Sequence, residues 1–211
     1  LRRKKTKEGR DALLAIVKDP LAGKVAVDAA RELYKSVMDF DMETWIEGLT
    51  ARGFAEWTLD EVSKKDAKIQ SGEILINSPA AFLSPNALKN ARGFAAEFQI
   101  LSFDGDGGAG LAWNFKDRDN LRKAVLQLKS IDAGYVEQGV VKLSGQLPID
   151  SPVNKWIRLA MIECGDSLLV FMNGTIVYRG ALIIDSFRTG GGIYVGGASL
   201  KVRNVQIWPA K

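Results

Sequence analysis

The chain has 211 residues, 46% hydrophobic and 26% charged, which suits one large globular domain, or one with a small appendage, and excludes a disordered chain. Its formal net charge is +4, but Arg2, Arg3, Lys4, Lys5, Lys7 and Arg10 carry most of that excess. The remainder is close to neutral, so no nucleic-acid partner is indicated. The lone cysteine, Cys164, excludes an internal disulfide, and the absence of histidine removes the commonest general base and metal ligand.

Residues 1–10 read as a basic tail. The plain reading is a solvated charge run; the other is the cytoplasmic flank of an upstream membrane helix. The chain starts with Leu1 rather than Met, which fits an excerpt of a longer protein with neighbouring domains. No apolar run approaches the roughly 18 residues that cross a bilayer, and none has the pattern of a signal peptide. Residues 11–39 are expected to form a short helical hairpin. Leu13, Leu14, Ile16 and Val17 share a face until Asp19-Pro20 ends the first helix, and Val25, Ala29, Ala30, Leu33 and Val37 keep helical spacing in the second.

From residue 40 to 211 the helical period gives way to short alternating runs. Phe94, Ala96, Phe98 and Ile100 alternate with Ala95, Glu97, Gln99 and Leu101, as in a strand with one buried face. Leu111, Trp113 and Phe115 alternate with Ala112, Asn114 and Lys116; Ala124, Leu126 and Leu128 alternate with Lys123, Val125, Gln127 and Lys129. Asn173-Gly174 between Val170-Phe-Met172 and Thr175-Ile-Val-Tyr178 predicts a hairpin, because a type I′ turn needs two positive-φ positions. Near the end, Leu200 and Val202 share one phase and Val205 and Ile207 the other, which predicts a β-bulge at Arg203-Asn204. The fold class is mainly β: an antiparallel two-sheet sandwich behind a short N-terminal helical hairpin.

Asn154-Lys-Trp156-Ile-Arg-Leu, Val170-Phe-Met-Asn-Gly-Thr-Ile-Val177, Gly192-Ile-Tyr-Val-Gly196 and Val202-Arg-Asn-Val-Gln-Ile-Trp-Pro209 resemble the second half of concanavalin A-like glucanase and laminin-G-like jelly-roll domains. The similarity is greatest to the bacterial 3-keto-disaccharide hydrolase type, whose first paired strands resemble Phe94-Ala-Ala-Glu-Phe-Gln-Ile100 and Gly107-Gly-Ala-Gly-Leu-Ala-Trp113. It extends over residues 54–209. The resemblance implies a jelly roll and carbohydrate or another surface polymer as ligand, with an extracytoplasmic or membrane-tethered location as the expectation. It also implies hydrolase activity.

The residues lean against an enzyme. Glycosidases need a carboxylate pair, yet Glu97 is followed two residues on by Gln99, and an amide cannot exchange that proton. Asp117 and Asp119 fall in a turn pattern that explains them without catalysis. Asp104-Gly-Asp106 alternates carboxylates as calcium loops do, but Gly108 takes the third ligand position, so calcium would need donors from elsewhere; otherwise no cofactor is expected. If Phe94, Phe98, Trp113, Phe115, Leu126 and Leu128 point inward, then Glu97, Gln99, Asn114, Lys116, Lys123 and Gln127 share the opposite surface. That surface is either a solvated sheet face or a sugar-binding one, with Tyr135 or a loop tryptophan stacking on a ring. The expected function is a non-catalytic carbohydrate- or polymer-binding module of a larger protein. The alternatives are a glycoside hydrolase or lyase of the 3-keto-disaccharide type and a purely structural packing domain.

Overall fold

A computed structural model describes residues 55, 57–59, 66–86, 91–117, 119–164, 167–181 and 191–209. The expected basic tail and helical hairpin lie outside the described residues. The strands are β1 (Trp57–Leu59), β2 (Ala67–Gln70), β3 (Glu73–Pro85), β4 (Ala91–Asp117), β5 (Asn120–Leu126), β6 (Ser130–Glu137), β7 (Val140–Pro148), β8 (Trp156–Cys164), β9 (Ser167–Met172), β10 (Thr175–Ala181) and β11 (Gly191–Pro209). All their ladders are antiparallel.

The long strands β3, β4 and β11 run through two sheet halves. In the first half the order is β2-β3-β11-β4-β8-β9-β10; in the second it is β1-β3-β11-β4-β5-β6-β7. Strand β4 pairs with β8 through Gly93–Gln99 and with β5 from Ala109 onward. The crossing between halves is a glycine site. Gly105 and Gly197 have φ of 58° and 79°, and a methyl at Gly107 would collide with the Gly197 carbonyl. Only a residue without Cβ lets β4 and β11 approach so closely where they bend.

Inner faces of both halves meet in one core. Phe94, Phe98 and Ile100 from the first half pack with Leu111, Trp113, Leu126 and Ile131 from the second. Each such side chain contributes about 1.5–3 kcal/mol when fully buried. The Trp113 indole N–H donates to Glu163 Oε1 of β8 at 2.9 Å, a polar link between halves that satisfies an indole only 2% exposed.

The turn and bulge expectations hold. Asn173 and Gly174 have φ of 51° and 78°, and Met172 faces Thr175 across the turn. The β4–β11 register shifts between Arg203 and Gln206, with Asn204 at φ 49°. The inward phase holds for Phe94, Phe98, Trp113 and Leu126 and fails for Phe115 and Leu128. Asn114 adopts φ 49° and the β4–β5 register shifts between Trp113 and Asp117, so the next side chain turns over. Phe115 stacks on Phe82, centroids 3.6 Å apart, in the smaller cluster with Ala112, Leu121 and Val136. Leu128 is 48% exposed because it sits in the tight turn closed by Gln127 N–H donating to the Ser130 carbonyl at 2.8 Å.

Candidate functional site

The polar residues singled out by alternation divide between two outer surfaces. Glu97 and Gln99 lie on the outer face of the first half. There Glu97 faces Arg203 on one side and Arg158 on the other. Arg203 Nε donates to Glu97 Oε2 at 2.9 Å, and an Arg158 nitrogen stands 3.8 Å from Oε1. The Arg203 guanidinium also lies 3.8 Å from the Trp156 ring centroid, a stacked cation–π contact. Burial raises the Glu97 carboxyl, but hydrogen bonds from Arg203 and Asn204 and the charges of Arg203 and Arg158 together hold it below the ordinary glutamate range. That is the reverse of what a general acid at neutral pH needs. Gln99 Nε2 is engaged by the Asn154 carbonyl at 3.3 Å.

Lys123 and Gln127 belong to the outer face of the second half. Cross-strand registers set out its floor in rows. Gln146, Asp132, Val125, Gly110, Tyr194 and Phe82 make one row; Leu143, Gly134, Lys123, Ala112 and Gly192 make the next. Gly110 and Gly192 are required by the backbone, since a methyl at either would run into the neighbouring strand's carbonyl oxygen. Gly110, Gly192 and Ala112 are all buried, Ala112 within the cluster that holds Phe82, Phe115 and Tyr194.

Asp132 is the centre of the polar group, only 5% exposed. Its Oδ1 accepts from Ser130 Oγ at 2.8 Å and from Gln146 Nε2 at 3.0 Å. Ser130 Oγ also lies 3.3 Å from Gln127 Oε1. Among the described residues Oδ2 has no hydrogen-bond donor. Lys123 lies half-buried, its Nζ 5.2 Å from the Tyr194 ring centroid, and makes no hydrogen bond or ion pair among the described residues. Burial pushes this ammonium below the usual lysine range, and the charge of Asp132 offsets only part of that shift. The Phe82–Phe115 stack and Tyr194 wall the other side. Donors, acceptors and aromatic rings therefore share one face of this sheet half.

The other expected residues are placed apart. Asn114 is the left-handed residue that inverts β4, and Lys116 is exposed near its end. Tyr135 faces Arg122 and, through it, Trp113, so it shares the core-side face. Arg122 and Lys142 flank its ring at 5.7 and 5.4 Å, and Lys142 pairs with Glu137 at 2.5 Å. Asp117 Oδ1 accepts the Asp119 N–H at 3.0 Å and Asn120 Nδ2 at 2.8 Å, the backbone role a turn aspartate has. Asp104 and Asp106 are exposed at the β4 bend, and no group of three acidic or cysteine residues comes together among the described residues.

Asp132, Ser130, Gln146 and Tyr194 escaped the reading of sequence. Ser130 and Asp132 alternate with Ile131 and Ala133, a period-two signal weakened by the small Ala133 and Gly134. Gln146 lies beyond a register shift, near residues 144–145, that hides its phase.

No family model matches the sequence, and no curated protein matches it. Solved structures do. The carbohydrate binding module CBM66 from Bacillus subtilis superposes with a TM-score of 0.59 at 18% identity, over 71% of this chain and 93% of that one. The Crh5 transglycosylase in complex with NAG gives 0.56 at 10% identity, over 77% and 82%. A GH43 protein from Bacillus licheniformis gives 0.53 at 10% identity, over 74% of this chain and 37% of that one. At these identities the likeness shows the fold, a β-sandwich of the concanavalin A-like jelly-roll type.

Proposed function

We propose that this chain is a non-catalytic carbohydrate- or surface-polymer-binding module, and that it binds on the outer face of the second sheet half, over Lys123, Asp132, Gln146 and Tyr194. The observation that carries this reading is Asp132, nearly enclosed, anchored through one oxygen and offering the other beside a half-buried ammonium and an aromatic ring. Oδ2 is not among the buried unpartnered atoms of the described residues, so it is open to water in the free protein. A sugar hydroxyl donating to Oδ2 would take the place of that water, with Tyr194 supplying apolar surface to the ring. Two of the structural neighbours, a carbohydrate binding module and a transglycosylase in complex with NAG, agree with that ligand class. The hydrolase alternative finds no support at Glu97, whose carboxylate is held ionised by Arg203 and Arg158.

A glycan array followed by calorimetry tests the reading. Wild type is expected to bind at least one oligosaccharide, and Asp132→Ala to weaken it by about tenfold or more, as loss of a charged hydrogen-bond acceptor does. Melting temperatures measured alongside separate binding from folding. Background signal on every glycan, or full binding by a folded Asp132→Ala protein, would remove the proposal.

A further inference from the structure

Lys123 and Asp132 stand on diagonal positions of neighbouring strands. Lys123 is opposite Gly134, and Asp132 is opposite Val125. Diagonal positions on one face are roughly 7–8 Å apart at the backbone, within reach of long side chains. Gly134 adds no side chain between them. Among the described residues, Oδ2 of Asp132 and the Lys123 ammonium meet no hydrogen-bond partner.

An acceptor and a donor of opposite charge, on diagonal positions of one half-buried face, set the chemistry of what fits. A hydroxyl both donates and accepts, so adjacent hydroxyls satisfy Oδ2 and the ammonium together without bringing charge. A carboxylate or sulfate would gain from Lys123 and lose against Asp132, which lies well within a Debye length of about 8–10 Å. A free amine would meet the converse. Like charges brought together in a desolvated interface cost several kcal/mol, enough to reject a ligand. We infer that this face selects neutral polyhydroxy ligands carrying adjacent hydroxyls, and discriminates against their uronate and free-amine counterparts. The inference rests on the carbohydrate-binding reading and goes beyond it by naming the ligand class.

The test is a panel of neutral gluco-, manno-, galacto- and fructo-oligosaccharides set beside glucuronate, mannuronate, galacturonate and glucosamine oligomers, titrated into the full chain at low ionic strength. Bound probes are expected to be neutral, favoured over the charged counterpart by about tenfold or more. Asp132→Asn should narrow the gap between a neutral sugar and its uronate, because the repelling charge is gone and the shape is kept. A uronate or glucosamine oligomer that binds wild type as tightly as its neutral partner overturns the inference while leaving carbohydrate binding standing. An unchanged gap in a folded Asp132→Asn protein overturns it as well. Should that variant not fold, the wild-type comparison decides alone, and silence across the panel removes the inference and the reading beneath it together.

Discussion

Two ionisable residues on opposite surfaces show how burial and neighbours trade against each other. Glu97 titrates below its ordinary value of 4.5 because Arg203, Asn204 and Arg158 outweigh its burial. A carboxyl depressed on folding contributes stability that is present above the unfolded value and is lost as pH falls through the folded one. Glu97→Gln should therefore cost about 1 kcal/mol at pH 7, kept low because Arg203 is 39% exposed. Urea unfolding should show the difference from wild type shrinking below pH 4.5; a difference that persists at lower pH would mean the carboxylate charge is irrelevant. Lys123 carries the opposite balance. Its folded value is lowered from 10.5 by burial, so the unfolded chain holds more protons in the window just below 10.5, and this group makes stability rise with pH there. Binding through the ammonium should fall across the same window. Lys123→Met should then melt no lower than wild type at pH 7 while binding its sugar at least about tenfold more weakly. Loss of stability and binding together would assign Lys123 a structural role instead.

At the scale of strands and turns, the backbone signals that were legible are those a residue type announces. Asn173-Gly174 declares a type I′ hairpin, and the shift of apolar phase after Val202 declares the bulge at Asn204. Ser71-Gly72 and Gln138-Gly139 have the same geometry, with φ of 53° and 78°, and 51° and 76°, and join β2 to β3 and β6 to β7. They passed unread because Ser and Gln have no particular ease at positive φ. Asn114 was hidden for another reason: Trp113 and Phe115 keep an unbroken alternation on paper, and only a left-handed residue between them sends the rings to opposite faces. Where the residue type is poorly suited to the turn, a better one should stabilise. Ser71→Asn is expected to raise unfolding free energy by about 0.5 kcal/mol, the scale of single turn optimisations. Chemical denaturation can resolve that, and a destabilised variant would mean that the Ser71 side chain does more than occupy φ space.

Across the whole molecule, alternation tells which side of a strand is buried but not which sheet the strand is in. Glu97 and Asn114 lie on one strand, and their pattern placed them on one surface. Strand β4 crosses from the first half to the second between them, so Glu97 looks out from one sheet and Lys123 from the other. The two-layer architecture was legible from periods and turns; the site was not, because it is assembled from β5, β6, β7 and β11, which only register brings together. The same continuity makes the halves mechanically inseparable. Strands β3, β4 and β11 belong to both, the core mixes side chains of both, and Trp113 bonds to Glu163 across the gap. Unfolding should be a single cooperative transition, with calorimetric and van't Hoff enthalpies equal. Gly107→Ala probes this at the bend, where a methyl would meet the Gly197 carbonyl. Moving β4 off β11 there disturbs both halves at once, so the variant should lose about 3 kcal/mol or more and still unfold in one step. Two separable transitions, or wild-type stability, would show that the crossing is not what couples the sheets.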